Sequence, residues 1–227
     1  VIPVRNEAAP LPLLLADLAR APADLVAERV VVDGGSGDGS ASIARLAGAT
    51  VLHGPASRGW QLQRGVAATS APWLLLLHAD GRLPADWAPV VQRALQQPPA
   101  AWYFDLAVAG GGPPMRLLEA AVALRCRLRQ LPYGDQGLLL PRPLLEQAGG
   151  VRPLPLMEDL DLVQRLRPLA PLRRLGRPLR VDGRRWRRHG AWLGVLRVAW
   201  RNAQLRRAWR QGISAEELAV RYYGPRR

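Results

Sequence analysis

The stretch VVDGGSGDGS, residues 31–40, decides how the chain is read. An apolar run ends at Asp33, and glycines, one serine and a second aspartate follow before a helical pattern resumes at Ser40. Glycine permits backbone conformations and close approaches closed to other residues. The stretch is therefore either a tight strand-to-helix turn or a loop lying against a nucleotide. It has neither the G-x-G-x-x-G spacing of a dinucleotide fingerprint nor the GK[ST] of a P-loop. Asp33, at a strand tip, can accept hydrogen bonds from a base or a ribose, and Asp38 fits a turn or cap.

Outward from this loop, short apolar runs alternate with helical patterns. VIPV, RVVV, TVLH and WLLLLHAD read as strands, while PLPLLLADLARA, SASIARLA and RGWQLQRGVAATS read as helices. Apolar runs without alternation, separated by helices, indicate parallel strands covered on both faces. The predicted fold class is α/β, a Rossmann-like sandwich with a mostly parallel central sheet and helices on both faces. The second half is less regular. WYFDLAVAG reads as a strand, MRLLEAAVALRCRLRQL as a helix, YGDQGLLL as a loop entering a strand, and LMEDLDLVQRLRPL as a helix. LRRLGRPLRV gives short strands, and the chain from Ala191 is helical again.

Composition narrows the class. At 227 residues the chain can bury a substantial core. All 32 basic residues are arginine, against 18 acidic ones, for a net charge of +14. Total absence of lysine points to coding bias, so only part of that arginine is chemistry. The remainder favours phosphates or anionic lipid. Nucleic acid is not expected, because no helix-turn-helix, zinc or RNP pattern is present. The single cysteine, Cys126, excludes an internal disulfide framework and fits a buried helix thiol. No apolar run approaches the length of a membrane span.

In open α/β sheets ligands gather beyond the carboxyl ends of the strands. Glu7 follows the first strand, Asp33 the second, and Asp80 the strand LLLLHAD. Each has a plain alternative: Glu7 can complement a helix dipole, and Asp33 and Asp80 can cap turns. Three acids on one edge favour a site. Asp80 suits Mg²⁺ or Mn²⁺ bridging to a diphosphate. Arg58 stands at a helix start, where anions bind, or is a solvated cation. Glu158 and Asp159 open a later helix. Adjacent residues point apart there, so one of them can face a cleft as a base toward a hydroxyl, or both can complement the dipole.

VIPVRNEA, VVDGGSGDGS, LLLLHAD and LMEDLDL, in that order, resemble glycosyltransferase family 2. YGDQG and the late DGRRW resemble a bacterial subgroup associated with radical-SAM and selenium-related genes. The resemblance runs through essentially the whole chain. It implies a GT-A fold, a nucleotide-diphospho-sugar donor, Mg²⁺ or Mn²⁺, and a single displacement that inverts the anomeric centre. Carried over, Pro3 and Glu7 line the nucleoside, Asp33 meets base or ribose, Asp80 holds the metal at the diphosphate, and Arg58 lies near the nucleotide. Asp159 becomes the general base, with Glu158 its neighbour. Asp135 and Gln136 of YGDQG fall on the acceptor side, and Arg185 and Trp186 resemble the R-W of a Q-x-x-R-W motif. Three positions depart from the pattern: Gly34 replaces the second acid of the loop, His78 the first acid of D-x-D, and Asp182 the glutamine.

The expected division is a GT-A domain over 1–189, with a nucleotide-sugar half to about 110 and an acceptor half after it. A C-terminal amphipathic helical extension follows over 190–227. In that extension Trp192, Leu193, Leu196 and Trp200 share a face opposite arginines. Such a helix either lies on anionic lipid, packs on the domain, or meets a second copy. A lipid-linked acceptor would suit the first reading. The expected location is cytoplasmic, with a peripheral seat on the inner membrane face as its variant. The rival functions are a sugar-phosphate nucleotidyltransferase, whose basic glycine loop VIPVRNEA lacks, and a basic non-catalytic binding module.

Overall fold

The computed structural model describes residues 1–187 and 190–224. The first half runs β1 (Ile2–Val4), α1 (Leu11–Ala19), β2 (Val30–Asp33), α2 (Ser40–Leu46), β3 (Thr50–His53), α3 (Arg58–Ala67) and β4 (Trp73–Leu76). Then follow β5 (Gly81–Arg82), α4 (Trp87–Leu95), β6 (Ala101–Val108), α5 (Pro113–Arg129), a 3₁₀ turn (Gly134–Gln136) and β7 (Leu138–Pro141). The last elements are α6 (Arg142–Gln147), α7 (Glu158–Leu166), β8 (Leu172–Val181), α8 (Arg184–Arg187), α9 (Ala191–Arg210) and α10 (Ala215–Tyr223).

β1, β2 and β3 are parallel neighbours, with Val4 opposite Asp33 and Asp33 opposite His53. Val1 joins them to β4: its nitrogen donates to the Leu75 carbonyl at 2.8 Å, and its carbonyl accepts from Leu77 N at 3.1 Å. Bonding two residues spaced by two is the parallel pattern. Beyond β4 the order is β7, β6, β8, β5. There the sheet is mixed, because β7 runs antiparallel to both β4 and β6 while β6 and β8 are parallel. LRRLGRPLRV, expected as short strands, forms the one long strand β8.

Each face of the sheet buries its own core. Leu74 and Leu76 of β4 enter one, and Leu75, with Leu77 just beyond the strand's end, the other. This two-faced burial is why LLLL shows no polar alternation. β7 repeats it, sending Leu138 and Leu140 one way and Leu139 the other. In β6 the alternation slips at an irregularity between Tyr103 and Asp105, after which Leu106 and Val108 join Ala101 and Tyr103 in the same core. A bulge in a strand has that effect. Cys126 lies in this core, and burial raises its thiol pKa.

Two buried carboxylates fasten the helices. Asp17, fully buried on α1, takes Arg82 in two hydrogen bonds of 2.7 and 3.0 Å and Leu83 N at 3.0 Å. Asp161 on α7 receives Arg152 at 3.0 Å and Arg165, whose guanidinium also reaches the Ala148 and Gly150 carbonyls. Charge-assisted, bidentate contacts of this kind hold geometry well, and they fix α7 against the loop preceding it.

Candidate active site

The carboxyl ends of β1 and β4 open into a cleft of about 750 Å³. The antiparallel β7 starts where β4 stops, with Leu138 opposite Leu76, so YGDQG arrives beside His78 and Asp80. β8 ends with Val181 opposite Gly81, which brings Asp182 to the same edge. The start of α7 supplies Asp159, and α9 and α10 close the far wall with Asn202, Leu205, Arg206, Tyr222 and Tyr223.

The glycine loop does its work on its neighbour. Asp33, only 2% exposed, accepts from Gly35 N at 3.2 Å and from Ser36 N at 3.1 Å. Burial alone would raise its pKa. The hydrogen bonds from Ser36 and Gly35, with His53 beside it, outweigh that and hold the carboxyl below its usual range. Ser36 Oγ accepts from Asn6 N at 2.8 Å, Ser40 Oγ from Glu7 N at 2.9 Å, and Asp38 from Ala8 N at 2.9 Å. In return Gly37 N donates to the Asn6 side-chain oxygen at 2.9 Å. Asn6 itself sits at φ 55, a left-handed conformation that asparagine tolerates. The polar groups of residues 33–40 thus satisfy the backbone of residues 6–8, and the loop aims Glu7 into the cleft. Asp33 does not line the cleft; Pro3, Glu7, Arg58 and Asp80 do.

Glu7 and Asp80 form an acidic pair. Burial first, and the charge of Asp80 second, raise the Glu7 pKa, with the Arg184 guanidinium 3.5 Å away opposing them. Glu7 Oε2 is buried, and the Arg184 guanidinium at 3.5 Å is its ion-pair partner. Two neighbouring carboxylates repel each other, and a cation between them would relieve both. The described residues hold no trio of acids, histidines or cysteines arranged as a metal cage. Mg²⁺ and Mn²⁺ suit so sparse a donor set, since Mg²⁺ in particular keeps waters and substrate phosphates as ligands.

Glu158 and Asp159 part ways as helix geometry requires. Glu158 is 1% exposed and turns inward, with Arg58 Nε 2.9 Å from its Oε1. Burial raises its pKa against the pull of Arg58, while the carboxylate keeps Arg58 firmly charged. Asp159 faces the cleft. Its Oδ2 accepts from Gly134 N at 2.8 Å and its Oδ1 from Leu160 N at 2.7 Å. Met157, just before the pair, is held at φ 67, a strained position for that residue. Gly134 also lies against the His78 ring, 2.5 Å from Nε2 to where a Cβ would stand. The YGDQG turn, His78 and Asp159 are locked together.

The other expected residues divide. Asp135 and Trp186 line the cleft. Glu158 does not, so of the two acids only Asp159 is presented to the cleft. Gln136 is 1% exposed and turned inward, donating to the Phe104 carbonyl at 3.0 Å and accepting from Arg125 at 3.1 Å. Its amide anchors the turn. The side chain of Arg185 lies outside the described residues. Sequence reading missed Gln61, whose buried amide donates to the carbonyls of Val4 (2.9 Å) and Val32 (2.7 Å) and splices two strand ends. It also missed Tyr133, Arg184 and the wall built by Asn202, Arg206, Tyr222 and Tyr223. The Tyr222-Tyr223 pair ending an amphipathic helix was the one sequence signal for that wall.

An α/β sheet of this order, with carboxylates gathered at the strand ends and Arg58 at a helix start, has the architecture of the GT-A type. The chain belongs to glycosyl transferase family 2, whose model matches residues 1–127, and it is a glycosyltransferase. Glucosyl-3-phosphoglycerate synthase from Mycobacterium tuberculosis, in complex with Mn²⁺, UDP and phosphoglyceric acid, has a similar structure. The TM-score is 0.58 at 22% identity, over 84% of this chain and 72% of the synthase. The same synthase with Mg²⁺ and UDP gives 0.58 at 23% identity, over 84% and 73%. The likeness to these structures is one of fold. No curated protein sequence matches the chain significantly.

Proposed function

We propose that the protein transfers a sugar from a nucleotide-diphospho-sugar to an acceptor hydroxyl by one inverting displacement. The observation that carries this reading is Asp159, held by Gly134 N at 2.8 Å in the cleft that also contains Glu7 and Asp80. Pro3 and Glu7 border the nucleoside, Asp33 acts on it through the loop it shapes, and Glu7 with Asp80 would hold Mg²⁺ or Mn²⁺. The cation would neutralise charge on the departing diphosphate. Asp159 takes the proton from the acceptor hydroxyl as that oxygen attacks the anomeric carbon. Its two backbone donors fix the carboxylate and leave lone pairs for the incoming proton. Glu158 and Arg58 act behind it as a positioning pair. Asp135, Trp186 and the α9–α10 wall form the acceptor side, so α9 and α10 complete the cleft. The mycobacterial synthase and its nucleotide and metal support the donor and cation classes.

Asp159→Asn should lower kcat by about 10²–10⁴, the usual contribution of a general base. It should leave the donor-induced rise in Tm intact. Equal loss of donor binding and turnover would remove Asp159 from that role.

A further inference from the structure

We propose that the outward faces of α5 and α9 form a seat on an anionic lipid bilayer. Seven of the twelve exposed large hydrophobics among the described residues stand on these two helices: Leu117, Leu124 and Leu128 on α5, and Trp192, Leu193, Leu196 and Trp200 on α9, each 55–70% exposed. Single exposed leucines are ordinary, but a concentration of this kind marks a contact surface. The helical repeat explains it. On α9, Val195, Val198, Leu205 and Ala208 turn inward, which leaves Trp192, Leu196, Ala199 and Trp200 on the solvent side. Met115, Val122 and Cys126 of α5 share a core with Val195 and Val198 of α9. The outward faces of the two helices therefore lie over one core.

Charge selects the occupant. Arg116, Arg127 and Arg129 on α5 and Arg197, Arg207 and Arg210 on α9 are all exposed. α9 contains no acidic residue, and the one acid of α5, Glu119, accepts from Val108 N at 2.7 Å. A second copy meeting this face symmetrically would set arginines against arginines with no acid to pair them. An anionic bilayer complements both components: indole and leucyl side chains enter the headgroup–acyl boundary, and guanidinium groups reach the phosphates. No described helix is long and apolar enough to cross a membrane, so the contact is peripheral. α9 also carries Asn202, Leu205 and Arg206 into the cleft wall, so a seat on its other side places the acceptor side near the lipid surface. The seat stands independently of the sugar-transfer reading.

The test is flotation of the full chain with vesicles of phosphatidylcholine alone and of phosphatidylcholine doped with phosphatidylglycerol, at low and high salt. The wild type should float with the doped vesicles and be released by salt. The triple variant Trp192→Gln/Leu196→Gln/Trp200→Gln should lose flotation while keeping its Tm and its donor-induced shift in Tm. Failure of the wild type to float, or equal flotation of wild type and variant, would overturn the seat. So would light scattering that shows a dimer abolished by the triple variant without any effect of lipid.

Discussion

Glu7 and Asp33 stand one strand apart and titrate in opposite senses. The Glu7 pKa is raised by burial and then by Asp80, so its ionised form opposes folding, an effect that fades as falling pH protonates it. Glu7→Gln should therefore raise the Tm of the ligand-free protein at neutral pH, with the gain vanishing in acid, while turnover falls. Thermal melts across pH check the sign. The Asp33 pKa is lowered, since hydrogen bonds outweigh its burial. Its stabilisation is present above the ordinary carboxylate value of about 4 and is lost as pH drops through the lower folded value. Asp33→Asn should cost about 1–2 kcal/mol at neutral pH, measured by denaturant unfolding, with the two proteins converging at strongly acid pH. Glu7, Asp80 and Asp159 were legible because each follows a strand or opens a helix in a recognisable pattern. Gln61 was not, because nothing local says that an amide on α3 will find the carbonyls of Val4 and Val32.

The glycine loop, β7 and α9 show what patterns carry and what they leave open at the scale of elements. Residues 33–40 were legible as a strand-to-helix loop, but its task of clamping residues 6–8 depends on β1 and β2 lying side by side. Space at Gly34 is tight: a Cβ there would stand 3.0 Å from Ala56 Cα and 3.1 Å from Gln61 Nε2. An acid in the family's usual place would displace Gln61, and even Gly34→Ala should cost about 1–3 kcal/mol by overpacking, read from denaturant midpoints. LLLP at β7 fits either strand direction, so its antiparallel course, which delivers YGDQG to the site, was not readable. On α9, a Cβ on Gly194 would collide with the Trp186 carbonyl. Gly194→Ala should push the helix outward, raise the acceptor KM and leave donor binding little changed.

For the whole molecule, the succession of strands and helices set the fold class, because apolar runs buried on both faces permit few other arrangements. What they could not show is that the C-terminal helices come back over the strand ends. That closure joins Tyr222 and Arg206 to Asp80 and Asp159 in one cleft. The central claim is that this cleft takes a nucleotide-diphospho-sugar through a cation at Glu7 and Asp80. Thermal shift against a panel of nucleotide-diphospho-sugars, with Mn²⁺ or with chelator, for the wild type and Asp80→Ala tests it most directly. At a hundredfold excess over Kd, one donor should add about 2.7 kcal/mol to wild-type stability with Mn²⁺, much less with chelator, and little in Asp80→Ala. A donor shift that is the same with chelator and in Asp80→Ala, or no shift with any donor, would contradict it.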